Sequence, residues 1–438
     1  MFNSQKPLFS KPVLAGIMIF STLAIWALNS TAPKPISYPK MTIETWQTDS
    51  GIPVVWLTQD DWKGSNKLNI SLSFNAPEHN LALTDATLSM MLDDPLPLIS
   101  STINQRLSPL TASVSSGYNH EGQTLYITAN STASFLKPTL DILTQWLTQP
   151  IFKARSFYRW QNIKDPDLSA LFTMQQALFI PVNQSPETPS EKNYAQLKMQ
   201  VTQEQVADYY QQLTQHVSRI TLVGDMSQAT KQAVTASLNH ITEHFRHPPS
   251  LSPLPFKVNP HSHLLSKEEA QQGLTQQGIA LRPLRSVQDW ISLQLWGANV
   301  IDTLNKQSTT QYAQLNFILS PRLPWAWWRV QHSQESKPLP LASMKDTINT
   351  DTLPSVTENK HFKTLFTSFQ QQLNKQSHSP DWWIKMATEV TPPNSALTPS
   401  DFAKHYQNAI DTFTQKNYQA ALKYLFITSS YQENQVTP

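Results

Sequence analysis

The chain has 438 residues, a formal charge of +2, 39% hydrophobic residues, 13 Trp, 9 Gly and no Cys. That length exceeds what one ordinary core supports, so two or more domains are expected. The lack of Cys excludes disulfides, thiolate catalysis and Cys-based zinc sites, the 33 basic residues form no stripe for nucleic acid, and no glycine-rich phosphate loop occurs.

At the N-terminus, Lys6 and Lys11 precede an apolar run at residues 13–28, broken only by Ser21 and Thr22. A positive flank followed by an apolar segment is the chemistry of a signal peptide or signal anchor. The run is short for a span, but no good small-x-small cleavage site follows. An uncleaved anchor within residues 1–35 is therefore favoured over a cleaved signal, with the bulk of the chain in the periplasm. A buried core helix is the third option, and the following Pro33, Pro35 and Pro39 argue against it.

Residues 42–48 and 53–57 read as two short strands around an Asp49-Ser-Gly51 turn. Residues 67–74 (KLNISLSF) alternate as a half-buried strand does, and residues 81–92 have helical spacing. A strand is expected at 125–129 and an amphipathic helix at 135–147, followed later by a strand at 219–223 and a helix at 227–245. Five prolines between His247 and Pro260 mark a stiff extended linker. The expected division is an N-terminal half at 36–246, a Pro-rich linker at 247–263 and a C-terminal half at 264–438. Residues 305–360 are polar and Pro-rich and read as loops.

The halves share a trace of repetition. Thr202 and Thr398 each begin a helical pattern, with Gln205 or Asp401 three residues on to satisfy free backbone N–H groups. Each pattern then places an apolar residue, Ala and Tyr in matching positions, which favours duplication over two unrelated amphipathic helices.

In their order, these features resemble the pitrilysin/insulinase family, which includes the mitochondrial processing peptidase. The strand, the Asp-Ser-Gly turn, the Pro-Val-Val-Trp strand, the NISLSF strand and a helix ending in Met-Met-Leu carry the resemblance. So does the Thr-x-x-x-Val-Ala-x-x-Tyr helix, followed by residues 219–225 (RITLVGD). It covers residues 42–245 and, more weakly, 270–438. It implies an α+β chain of two homologous α/β half-domains of the pitrilysin type, here preceded by an N-terminal membrane segment.

Active relatives carry H-x-x-E-H on the early helix, where two His bind zinc and the Glu activates water. The resemblance sets Ala86 and Met90 at the His positions and Ser89 at the Glu position. The third-ligand stretch, residues 157–164 (FYRWQNIK), has no carboxylate. The relatives' glycine-rich loop and Arg/Tyr pair are not found either. No metal or other cofactor is expected at this position. The only acid within the helix is Asp85, and His79 precedes it.

The literal pattern H-x-x-E-H does occur, at His240, Glu243 and His244, with His247 beyond. It lies on the last helix of the first half, and no Glu follows between Glu269 and Glu335. A solvated helix end is favoured over adventitious metal binding or a peptidase site. Asn119, His120 and Glu121 read as a polar loop. Trp325, Trp327, Trp328, Trp382 and Trp383 are candidates either for core packing or for a partner interface.

The reading is a non-catalytic pitrilysin-like subunit, anchored in the inner membrane and periplasmic. Family analogy implies pairing with an active zinc peptidase to enclose peptides or unfolded polypeptide. Nucleic acid is not an expected partner. An active zinc peptidase with an atypical site and a stand-alone envelope scaffold are the alternatives.

Overall fold

The computed structural model describes residues 38–96, 101–183, 194–248, 251, 253–261, 263–268, 273–308, 310–332 and 359–437. The apolar run at 13–28 lies outside them. No helix among the described residues is long and apolar enough to cross a membrane.

In the first half, β1 (Thr42–Gln47) and β2 (Pro53–Thr58) pair across the Asp49-Ser-Gly51 turn, where Gly51 takes φ +82°. Strand β3 (Lys67–Asn75) leads into α1 (Leu81–Asp93), capped by Asn80, whose side chain accepts from Leu83 N–H. Then come α2 (Ile103–Leu107), the hairpin β4 (Ser113–Tyr118) and β5 (Gly122–Asn130), and α3 (Ala133–Thr148). Helices α4 (Ala154–Asn162) and α5 (Pro166–Leu178) follow, then β6 (Phe179–Pro181) and α6 (Tyr194–Gln200). Helix α7 (Gln203–Thr214), β7 (Val217–Gly224) and α8 (Gln228–Ile241) close this half. The six strands run in the order β1-β2-β7-β3-β5-β4. Strands β3 and β7 are buried on both faces, so β3 is not the half-buried strand its alternation suggested: its polar Asn69, Ser71 and Ser73 are covered as well. Gly224 takes φ +141°, and a Cβ there would sit 2.3 Å from Lys67 O, so only glycine fits.

Within the Pro-rich stretch, β8 (Phe256–Val258) pairs antiparallel with β6. The second half continues with β9 (His263–Glu268), β10 (Leu274–Ala280) and α9 (Val287–Asn305). Strands β11 (Thr310–Ile318) and β12 (Trp325–His332) occupy part of the region that composition read as loops. The correction has a simple cause: the Trp-rich segment is a buried strand, and its prolines lie just outside it. Helix α10 (Asn359–Gln376) is followed by α11 (Pro380–Lys385), which runs into a π-helical turn, Met386–Val390. Helices α12 (Pro399–Asp411) and α13 (Gln415–Leu425) and strand β13 (Gln432–Thr437) complete the chain.

The second sheet has the order β11-β12-β10-β13-β9. Reversed, it repeats β2-β7-β3-β5-β4 strand for strand, including one parallel pair, β9 with β13 matching β2 with β7. Both Thr202 and Thr398 are N-caps, accepting from Gln205 N–H and Asp401 N–H, but the repeat pairs the Thr202 helix with α13 instead: α7 is the last helix before β7, as α13, capped by Thr414, is the last before β13.

Each half straps the other's sheet. Helix α5 lays Met174 and Leu178 against β10 and β12, in a cluster with Phe179, Trp325 and Trp327. The absence of a side chain at Gly278 admits them, since a Cβ would lie 2.6 Å from Met174 Sδ. In return, α11 and the π turn lie on β3 and β7.

Candidate functional site

Helix α1 is held between two cores. Leu88 and Met91 pack under the first sheet, while Ala82, Ala86 and Met90 face Phe157, Trp160, Phe172, Tyr194 and Tyr209. Ala86 and Met90 are fully buried and Ser89 is half-buried. The third-ligand stretch forms α4, which does pack on α1.

Asp85 joins these elements. Its Oδ1 accepts from Tyr118 OH at 2.9 Å and from Ser89 Oγ at 3.4 Å. Its Oδ2 accepts from Trp160 Nε1 at 2.7 Å and Tyr194 OH at 2.6 Å. Burial, and then the adjacent Asp85 charge, push both tyrosine hydroxyls well above their usual range, so they stay protonated and donate. Four donors fill the roughly four lone-pair sites of a carboxylate, each charge-assisted bond contributing about 1.5–3 kcal/mol. Lys198 completes the surroundings, its ammonium 4.7 Å from the Trp160 ring centroid and donating to Ile163 O at 2.7 Å.

Zinc requires free N, O or S ligands in tetrahedral array. Ala86 offers no ligand atom, the neutral thioether of Met90 is a poor ligand for Zn²⁺, and the four lone-pair sites of Asp85 are taken. The residues at this position do not fit a zinc centre. Among the described residues, no group of three or more His, Cys, Asp or Glu is placed to hold a metal ion.

Beside this cluster lies the free edge of the first sheet. Among the described residues, strand β4 pairs only with β5. Asn104, on α2, presents its side-chain amide to the outer side: Val114 N–H donates to Oδ1 at 2.7 Å, and Nδ2 donates to Val114 O at 2.9 Å. Asn119 N–H turns inward to Gly122 O. Backbone groups alternate sides along a strand, so Ser116 and Tyr118 share the outward phase of Val114. No hydrogen bond occupies their N–H and C=O groups among the described residues. The amide of Asn104 thus stands in for a neighbouring strand at one residue and leaves the next two outward positions open. Tyr118, at the strand's end, is the residue that Asp85 holds.

The open edge ends at a cleft of about 240 Å³ between the halves, lined by Gly117, Tyr118 and Tyr126 on one side and Phe317, Thr388 and Glu389 on the other. Its walls are pinned by polar contacts. Arg219 on β7 is buried without an acid partner and donates to Ala387 O at 2.5 Å and Thr391 O at 2.9 Å, capping the π turn. Burial pulls its guanidinium down to about 10. Asp381 accepts from Lys67 Nζ at 2.6 Å and Asn69 Nδ2 at 2.8 Å. Burial opposes its ionisation, but these two donors outweigh it and hold the carboxyl below its usual value.

The Asn119-His120-Glu121 segment is the expected turn between β4 and β5, but its His120 and Glu121 are buried. Glu121 is buried and accepts from Arg322 Nε at 2.9 Å and from the backbone N–H groups of Arg322 and Leu323 at 3.1 and 2.7 Å. His120 is buried against Phe179, with neither ring nitrogen hydrogen-bonded. The polar composition hid this because the partners of the turn lie about two hundred residues away.

His240, Glu243 and His244 do not assemble. Helix α8 stops at Ile241, so His244 falls in a turn rather than on a shared helical face. His240 and Glu243 are 3.8 Å apart and exposed, and His247 Nδ1 engages Val217 O. The tryptophans pack inside the chain. Trp325 and Trp327 form the strap contact with α5, while Trp328 turns to the other face against Trp296. Trp383 is buried beside Phe402 and Tyr406, and Trp382 is half-buried against Trp290.

No protein-family model and no curated protein matches this sequence. Solved structures do match. A protease from Helicobacter pylori superposes with a TM-score of 0.70 at 9% identity, over 92% of this chain and 100% of that one. An inactive domain of a peptidase M16 from Pseudomonas fluorescens gives 0.67 at 15% identity, over 91% and 98%. The periplasmic protease PqqL from Escherichia coli gives 0.61 at 11% identity, over 92% of this chain and 48% of PqqL, so the chain spans about half of that protein. The chain has the fold of M16-type, pitrilysin-like peptidases.

Proposed function

We propose that this chain is a non-catalytic M16-type subunit that holds an extended peptide or unfolded polypeptide against edge strand β4. One observation carries the reading: the metal position is filled by Ala86, Met90 and a fully engaged Asp85, while the strand beside it keeps an open hydrogen-bonding row at Ser116 and Tyr118. An exposed strand edge binds a peptide by adding it as a further strand, with affinity from the main chain and specificity from alternate side chains.

The apolar run at residues 13–28 supports an inner-membrane anchor with the remainder in the periplasm. The fold match to a periplasmic protease and to an inactive M16 domain is in keeping with both location and lack of catalysis. The second chain proposed is an active zinc peptidase of the same fold, which supplies the chemistry this chain lacks. Co-purification of an H-x-x-E-H-bearing chain supports the pairing, and recovery of this chain alone under mild conditions speaks against it.

Ser116→Pro tests the edge. It removes an outward N–H and leaves the β5 ladder intact, and edge strands tolerate proline. Binding of a fluorescein-labelled extended peptide, followed by anisotropy, is expected to weaken about tenfold, one to two main-chain bonds' worth. The melting temperature is expected to stay within a few degrees. Unchanged binding overturns the edge-strand reading.

A further inference from the structure

The cleft at the end of β4 has an uneven chemistry. Its charged groups are Glu121 and Glu389, and they differ. Glu121 is neutralised by Arg322 at 2.9 Å. Glu389, on the π turn, has no cation within ion-pair distance among the described residues, and Lys385 acts on it only at longer range. Its side chain stays exposed at the cleft, and partial desolvation by the surrounding protein raises its carboxyl above the usual value. The nearby arginine, Arg219, is spent on the carbonyls of Ala387 and Thr391.

The rest of the lining is neutral, with the side-chain amides of Asn75 and Asn119 among it. Tyr126 OH gives its proton to Thr388 Oγ1 at 3.2 Å, and Thr388 gives its own to Ile384 O at 2.8 Å, so the tyrosine presents only lone pairs. Pro392 and Pro393 have no N–H to offer. Gly117 lets the Tyr126 ring lie close, since a Cβ there would be 3.3 Å from Tyr126 Cε2. A cleft of about 240 Å³ is several times the roughly 30 Å³ share of one water, enough for one long side chain. The cleft therefore presents one uncompensated negative charge, and it opens where the free strand edge ends.

We infer that this cleft takes a lysine or arginine side chain of the peptide held on β4, with Glu389 as its counter-charge. The inference rests on the edge-strand reading above and deepens it: a peptide paired with Ser116 and Tyr118 directs the side chain just beyond Tyr118 into the cleft. A cation there pairs with Glu389 and favours its ionised form, which no cation within ion-pair distance does among the described residues.

The test compares two fluorescein-labelled ten-residue peptides of Val, Thr and Ser, identical except for a central Lys in one and norleucine in the other. Binding to the full chain in detergent is followed by anisotropy at low salt. The Lys peptide is expected to bind about tenfold tighter, an Arg peptide to behave likewise, and Glu389→Gln to abolish the difference while leaving norleucine binding unchanged. The melting temperature of Glu389→Gln is expected to hold or rise, since the substitution removes a carboxylate whose ionisation partial desolvation opposes. Equal binding of the two peptides to the native chain, or a Lys preference that survives Glu389→Gln, overturns the inference and leaves the edge-strand reading standing. In the Ser116→Pro chain both peptides are expected to weaken together. Failure of both peptides to bind the native chain overturns both readings.

Discussion

The two sheets have the same strand order, yet they are strapped by opposite chemistries. The second sheet is covered by apolar side chains, Met174 and Leu178 of α5 against Trp325, Trp327 and the bare backbone of Gly278. The first is covered through polar contacts, Arg219 to the π-turn carbonyls, Lys67 and Asn69 to Asp381, and Tyr126 to Thr388. Apolar burial is non-directional and large, so the α5 strap supplies cohesion between the halves. Hydrogen bonds contribute less net free energy but fix geometry, so the α11 strap sets how the second half stands over the first sheet. The cleft lies on the polar side, where position matters. A π turn, a form often found at functional sites, supplies its acidic wall.

The comparison breaks most visibly on the apolar side. Trp325 is 1% exposed, and Trp325→Ala is expected to cost about 3–5 kcal/mol, as large core truncations do. The denaturant midpoint measures it. A cost below about 1 kcal/mol would mean that the α5 strap contributes little cohesion.

Acid should act on the joint between the halves. Burial pushes His120 down to about 4, while an unfolded imidazole titrates near 6.5. Between these values the unfolded chain binds a proton that the folded chain refuses, so stability falls as pH drops through that window. The loss is on the order of 3 kcal/mol for one such group. The facing groups are Glu121, which favours the charged imidazole, and His79 and Arg322, which oppose it. His120→Phe keeps the contact with Phe179 and is expected to flatten the pH dependence of the melting temperature between 6.5 and 4. An unchanged slope would place the titration elsewhere.

The smallest of these effects belongs to the polar strap. Arg219→Met leaves two buried carbonyls short of donors but also removes a desolvated charge, for a net loss of about 2 kcal/mol. Because the π turn carries Glu389, the Lys preference of the peptide site is expected to fall more than stability does. Equal losses of both would make Arg219 a simple packing residue.

Much of the first half was legible because its strands alternate and the Thr202 helix carries its cap, as the Thr398 helix does in the second half. At the position where the resemblance sets the zinc ligands, the sequence itself carries Ala86, Ser89 and Met90 in place of His and Glu. Other features left no local signal. The donors to Asp85 come from residues 118, 160 and 194, and the partner of Glu121 is Arg322. Such pairings follow from topology rather than periodicity, so Asp85 read as an isolated acid and Glu121 as a surface one. Strand β11 carries Tyr312, Gln314 and Asn316 along a sheet edge, a composition shared with loops. The His240 pattern misled in the opposite sense, because helix α8 ends before the spacing acquires a face.

The most direct measurement is the zinc content of the full chain, purified without added metal or a His-tag. The account expects near-zero zinc per chain, unchanged by His240→Ala or His244→Ala. About one zinc per chain, retained through dialysis and lost on Asp85→Ala or His240→Ala, would contradict the closed metal position on which the non-catalytic reading stands.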